Sequence, residues 1–131
     1  MFIAADATNS SSTTDSAYEV MIWFGRWGDA TQPIGIAEGS QDNHVINGTT
    51  FDLYYGSNSL GQKVFTWVAG DNTTTFTGDL APLVSKLSNN SGPVGDDYLG
   101  YVAFGSEALY SFENVTFYVP VLEMDIITVN V

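Results

Sequence analysis

The sequence predicts an all-β sandwich, on three observations. Clusters of Gly, Asn, Asp and Ser punctuate the chain every 8–15 residues or so, about the rhythm of short strands and turns. The runs between them are dense in β-branched and aromatic residues, which suit a pleated, half-buried surface. Asn47-Gly48, flanked by Val45-Ile46 and Thr49 to Leu53, is a strong short-range hairpin signal, because both residues tolerate the positive φ that a tight hairpin turn requires.

Taken in order, residues 18–25 (YEVMIWFG) read as the first long strand, 50–57 (TFDLYYGS) as the strand leaving the hairpin, and 62–69 (QKVFTWVA) as the next. Residues 97–106 (DYLGYVAFGS) and 114–131 (NVTFYVPVLEMDIITVNV) complete the long strands. Pro120 lacks the N–H that a ladder uses, so an edge, bulge or break is expected there. Only one segment has helical spacing. Leu80, Leu83, Val84 and Leu87 lie on one helical face, Asp79 can cap the start and Pro82 fits the first turn, so the spacing predicts a short helix over 79–88. Neither an internal repeat nor a linker divides the chain, and 1–131 reads as a single domain.

Composition excludes several functions. Fifteen acidic residues against three basic ones give a net charge of −12, and Arg26, Lys63 and Lys86 alone cannot neutralise a phosphate backbone, so no nucleic-acid partner is expected. There is no cysteine, hence no thiol nucleophile, thiolate metal site or disulfide framework. A Ser-His-Asp triad could recruit only His44, which precedes the turn and reads as a loop residue. No stretch approaches the roughly 18 apolar residues of a membrane helix, so no membrane partner is expected. Residues 1–5 lack the basic region and apolar length of a signal peptide. Five Asn-x-Ser/Thr sequons, at Asn9, Asn47, Asn72, Asn89 and Asn114, nevertheless point to a secreted protein, in a mature or truncated form. The remaining chemistry belongs to carboxylates and aromatics.

In strand 18–25, alternation puts Tyr18, Val20, Ile22 and Phe24 on one face and Glu19, Met21 and Trp23 on the other. Glu19 is either a charge at the wet end of a buried strand or a carboxylate on a cleft floor, beside an indole able to stack on a sugar ring. Glu107 offers the same pair of readings. It shares a face with Tyr101, Ala103 and Gly105, whose small members leave room for a substrate, yet strand ends often carry charges. Sequence spacing alone says nothing about how far apart the two carboxylates lie.

The segment 18–25 resembles the nucleophile strand of glycoside hydrolase family 12, the secreted endo-β-1,4-glucanases and xyloglucan-specific endoglucanases. Residues 28–35 (GDATQPIG) are similar to that family's Pro-Ile loop, 51–56 (FDLYYG) to its next strand, and 77–80 (TGDL) to the lead into its single helix. Phe104-Gly105-Ser106-Glu107-Ala108 resembles its acid/base motif, with Ser106 in place of the usual Thr and Leu109 where an aromatic is common. These blocks occur in order over 18–110.

The resemblance implies an antiparallel, concanavalin-like β-jelly-roll sandwich with one short helix. It implies that this chain is the C-terminal part of such a domain with N-terminal strands missing, including the Asp that would precede Met1-Phe2. Glu19 matches the nucleophile and Glu107 the general acid/base, while Met21 and Trp23 match residues lining the cleft. In a retaining mechanism the two carboxyl groups lie about 5–5.5 Å apart. At that distance ionised Glu19 would favour keeping a proton on Glu107 for donation to the leaving oxygen. No metal or organic cofactor is implied; the partner is a β-1,4-glucan or xyloglucan. Two other readings remain: an inactive truncated homologue, and a carbohydrate-binding β-sandwich using exposed Trp27 or Trp67.

Overall fold

The computed structural model describes residues 1–128; the last three positions of the expected strand 114–131 lie outside the described residues. Six strands form one sheet: β1 (Phe2–Ala4), β2 (Tyr18–Trp23), β3 (Asp42–Ile46), β4 (Thr49–Ser57), β5 (Lys63–Ala69) and β6 (Tyr98–Tyr101). Their spatial order is β3-β4-β5-β2-β1-β6. Two helices accompany them: α1 (Ala7–Ser10) and α2 (Ala81–Ser85), the latter continuing as a 3-10 turn over Lys86–Asn90.

The hairpin forms where the turn residues place it. Asn47 and Gly48 take φ of 47° and 83° and join β3 to β4 with Ile46 opposite Thr49. That hairpin reaches further back than the turn signal alone indicates, so His44 is a strand residue opposite Phe51 rather than a loop residue. Strands β4 and β5 pair over their whole common length, from Phe51↔Ala69 to Ser57↔Lys63.

The sheet departs from the antiparallel expectation in one pair. β2 and β5 run parallel, from Tyr18↔Lys63 to Trp23↔Val68, while the other four pairings are antiparallel. Parallel neighbours require a crossover. Since β3 must also run parallel to β2, the connection 24–41 has to return the chain across the sheet, and Pro33-Ile34-Gly35 crosses against β4. Among the described residues there is one sheet rather than the two of a complete sandwich.

Alternation sorts the sheet into two faces. Ile3, Val20, Phe51, Leu53, Phe65, Trp67 and Ala69 are buried together on one, covered by Leu83 of α2 and Leu87 of the 3-10 turn. The buried Trp67 indole donates to the Leu83 carbonyl at 3.0 Å, which fixes the helix on this face and rules out Trp67 as an exposed binding platform. Trp27 is exposed as anticipated. The helix begins later than 79, because Leu80 occupies the cap position; Asp79 accepts a hydrogen bond from the Ala81 N–H at 2.9 Å.

Two expected strands are shortened or missing. The strand expected over 97–106 is formed only at Tyr98–Tyr101, because its single partner β1 spans Phe2–Ala4 and leaves nothing for residues 102–106 to pair with. Residues 114–128 form no strand and lie almost wholly exposed, so Pro120 interrupts no ladder. Helix α1, in the Ser/Thr-rich stretch 7–10, has no apolar periodicity. Its sequence signal was local: Asp6 caps it by accepting from the Asn9 N–H at 2.8 Å.

Candidate active site

The second face of the sheet carries the candidate chemistry. Glu19 sits on β2 between Phe2 of β1 and Val64 of β5, and the row continues to Gly56 of β4 on one side and Tyr101 of β6 on the other. Directly paired residues share a face, so Tyr101, Phe2, Glu19 and Val64 line one transverse row. The Phe2 and Tyr101 rings pack at 5.9 Å between centroids. Two residues along β2, Met21 heads a second row with Thr66 and Tyr54; two further, Trp23 heads a third with Val68, Asp52 and Asn43. Glu19, Met21 and Trp23 are all half-buried.

The floor between them is well packed. Val64 and Thr66 are completely buried. Thr66 Oγ1 has no hydrogen-bond partner among the described residues. The crossover lies directly on this floor: a Cβ built on Gly56 would come within 2.6 Å of Ile34 Cγ2. Gly35, at φ 88°, lets the crossover backbone approach the Tyr55 carbonyl so closely that any side chain there would collide with it. Beside Phe2 and Glu19, the Met1 ammonium donates to the Val20 carbonyl at 2.8 Å. Burial pushes that amine below its ordinary pKa, against the pull of the neighbouring Glu19 carboxylate.

Glu107 is placed differently. It is exposed, in an irregular segment, six positions beyond Tyr101. Its sequence parity is that of Tyr101, hence of Glu19's face. Glu19, Met21 and Trp23 are thus brought onto one face, whereas Glu107 lies exposed in the irregular segment beyond β6. Among the described residues no group of three His, Asp or Glu side chains could hold a metal ion.

Several residues of this face escaped notice in the sequence. Phe2 and Tyr101 flank Glu19 only because β1 and β6 pair beside it, a long-range fact. Asp52 and Tyr54 were within reach: the alternation of 50–57 already separates them from Phe51 and Leu53.

The chain is similar to fungal endoglucanases. It is 36% identical over 100 residues to the xyloglucan-specific endo-beta-1,4-glucanase A of Emericella nidulans, covering 76% of this chain and 41% of that protein. To endoglucanase A of Aspergillus kawachii it is 33% identical over 111 residues, covering 82% and 44%. The crystal structure of endoglucanase 3 from Trichoderma harzianum superposes with a TM-score of 0.60 at 35% identity, over 74% of this chain and 40% of that one. The chain therefore spans about two fifths of the length of these relatives. The fold is that of these jelly-roll neighbours, mostly β, with the short helix α2 carrying Leu83. The family model described as glycosyl hydrolase family 12 matches residues 1–126, nearly the whole sequence, and the chain belongs to that family.

Proposed function

We propose that this chain supplies the catalytic half of a secreted endo-β-1,4-glucanase, acting on internal bonds of β-1,4-glucan or xyloglucan with retention of configuration. The observation that carries the reading is Glu19, a half-buried carboxylate on the second sheet face in line with Met21 and Trp23. A nucleophile must reach the anomeric carbon from one side of a sugar ring, and a rigid strand between two paired neighbours holds a carboxylate for that attack. Trp23 offers an aromatic surface for the apolar face of an adjacent ring. Family membership and the fungal relatives support the polysaccharide substrate, and the five Asn-x-Ser/Thr sequons support secretion.

In this mechanism Glu19 displaces the leaving sugar to form a glycosyl-enzyme, while Glu107 donates a proton to the departing oxygen. Glu19 is neutral once its carboxylate oxygen is bonded to the anomeric carbon. Glu107, relieved of its charged neighbour, then removes a proton from the water that hydrolyses the intermediate. These steps require Glu107 within about 5–5.5 Å of Glu19, so the segment 102–107 must pack against the sheet in the active form. Its exposed position favours a second reading for the isolated chain, a homologue without catalysis.

The test uses two substitutions and an aryl glucoside with a good leaving group, which needs no acid for departure. Glu19→Gln should form no covalent intermediate. Glu107→Gln should form it rapidly and stall there, because water lacks its base. Identical behaviour of the two variants would refute the assigned roles, and absence of turnover by the unaltered chain would favour the second reading.

A further inference from the structure

Trp27 is exposed and has no part in the chemistry above. Alternation along β2 carries the Glu19 face through Met21 and Trp23, and the next position of that parity is Gly25. Beside it, β4 and β5 end in small residues. The Gly70 N–H donates to the Thr50 carbonyl at 2.9 Å. Thr50 adjoins buried Phe51 in sequence and so lies on the opposite face, that of Glu19. Gly48, Thr49, Thr50, Gly70, Asp71 and Thr73 line a hollow of about 160 Å³ there. The glycines keep it open. A Cβ built on Gly70 would meet only the Thr50 carbonyl oxygen, at 3.8 Å, and one on Gly48 would meet nothing within 4 Å.

Asn72 joins this hollow to Trp27. Its neighbours Asp71 and Thr73 line the hollow, and the Thr73 N–H donates to the Phe24 carbonyl at 2.6 Å. A Cβ built on Gly25 would lie 2.7 Å from Trp27 Cη2 and 3.2 Å from Asn72 Oδ1, so the indole edge and the amide meet over one glycine. Oδ1 accepts the Arg26 N–H at 2.8 Å, which orients the amide, and no hydrogen bond occupies Nδ2 among the described residues. The Trp27 backbone is held too, since its carbonyl accepts the Thr31 hydroxyl at 3.1 Å. The indole nevertheless stays 67% exposed. A large apolar surface is thus fixed in place without being buried, next to an oriented donor and a carboxylate.

These groups suit a neutral, polyhydroxylated ring. An indole face packs on the C–H face of a sugar, Asn72 Nδ2 can donate to a hydroxyl, and the Asp71 carboxylate can accept from another. An anion finds no partner: no cation lines the hollow, and the Arg26 guanidinium is engaged with Gln32 at 2.9 Å.

We propose that Trp27, Asn72 and the hollow beside Asp71 form a second glucan-binding site, separate from Glu19, which grips a β-1,4-glucan chain without cleaving it. The inference goes beyond the catalytic reading and rests on it only for the class of ligand.

The test uses the full chain carrying Glu19→Gln, so that no sugar is turned over, labelled with nitrogen-15 and titrated with cellohexaose to millimolar concentration. Trp23→Phe and Trp27→Phe assign the indole signals. The Trp27 indole N–H and the Asn72 side-chain amide should shift together and saturate, while buried Trp67 stays fixed. Asn72→Asp keeps the oxygen that holds Arg26 and removes the donor; it should weaken binding read at Trp27 by roughly fivefold, the worth of one hydrogen bond. Trp27→Ala should weaken binding read at the Asn72 amide at least as much. Unmoved Trp27 and Asn72 signals overturn the site whether or not Trp23 moves, and so does unchanged affinity in both variants. Shifts at Trp27 and Asn72 with Trp23 silent support this site and count against the cleft reading alone.

Discussion

Replacing Gly35 by alanine tests how tightly the crossover is laid on the sheet. Gly35 has φ 88°, and the new Cβ would sit 2.2 Å from the Tyr55 carbonyl oxygen and 2.8 Å from its carbon. Ordinary contacts of carbon with a carbonyl oxygen begin near about 3.3 Å, so the loop would have to lift by roughly 1 Å. Gly48 is the internal control. Its φ is 83°, almost the same, but nothing lies within 4 Å of a Cβ built there. Left-handed backbone costs an L residue about 1–2 kcal/mol, and alanine recovers about 0.4–1 kcal/mol by stiffening the unfolded chain. Gly48→Ala should therefore lose about 1 kcal/mol. Gly35→Ala adds an overpacking cost of about 1–3 kcal/mol, for a total near 2–4 kcal/mol. That is a large share of a typical stability of about 5–15 kcal/mol. Urea unfolding of both variants at one protein concentration measures the difference directly. Equal losses would mean that the crossover does not approach Tyr55 closely, and that the fitted floor beneath Ile34 is an incorrect description.

Three further outcomes are expected. The chain should associate as its concentration rises, because Phe112, Val115, Tyr118, Val121 and Ile127 are each more than 70% exposed; a stop after Tyr101 should reduce the association, and a constant monomer mass by light scattering would contradict this. Lys86 donates to Asp42 at 3.1 Å and to the Asn43 carbonyl at 2.8 Å, so Lys86→Met should cost about 0.2–1 kcal/mol. Burial pushes the Asp42 carboxyl up, but hydrogen bonds from Lys86 and the Asn43 N–H hold it below its ordinary value. Its stabilisation is thus complete above the ordinary carboxylate pKa and fades as pH falls through the lowered one, and the variant should show a shallower loss of stability with acid. Unchanged acid dependence would remove the pair from this account. Trp67→Phe leaves the Leu83 carbonyl without its buried donor and should cost about 1–3 kcal/mol, seen as a lower melting temperature; an unchanged melt would show that the bond is dispensable.

What the sequence made legible was whatever depends on neighbours along the chain. The turn at Asn47-Gly48, the alternation of 18–25 and the apolar spacing around Leu83 are local, and each has its structural counterpart. Strand lengths at 97–106 and 114–128 were not legible, because a strand persists only where a partner pairs with it, and propensity does not report partners. The parallel pairing of β2 with β5 was hidden for a related reason. Alternation fixes which side a residue faces, yet says nothing about strand direction. The motifs around Glu19 and Glu107 were legible by resemblance, while the row of Phe2 and Tyr101 beside Glu19 required three strands separated in sequence to come together.

The same rule of alternation bears on Glu107. Tyr101 shares Glu19's face through Phe2, and every second residue onward, to Ala103, Gly105 and Glu107, inherits that side if the strand continues. An odd shift in the pairing of β6 would turn Glu107 away from the cleft; an even shift would preserve its side and change only its distance. β6 is held by three pairs with an irregularity between Phe2 and Ile3, and all four of its residues are exposed, so little apolar burial fixes its register. What does constrain it is Gly100, where a Cβ would collide with the Ser10 backbone, so that α1 seats this one residue. Holding Glu107 on Glu19's side therefore needs either additional strand beside 102–107 or an even slip that lifts Gly100 from Ser10. The first keeps every contact observed; the second sacrifices one. Physical economy favours added pairing, and the catalytic reading of this face rests on where residues 102–107 find it.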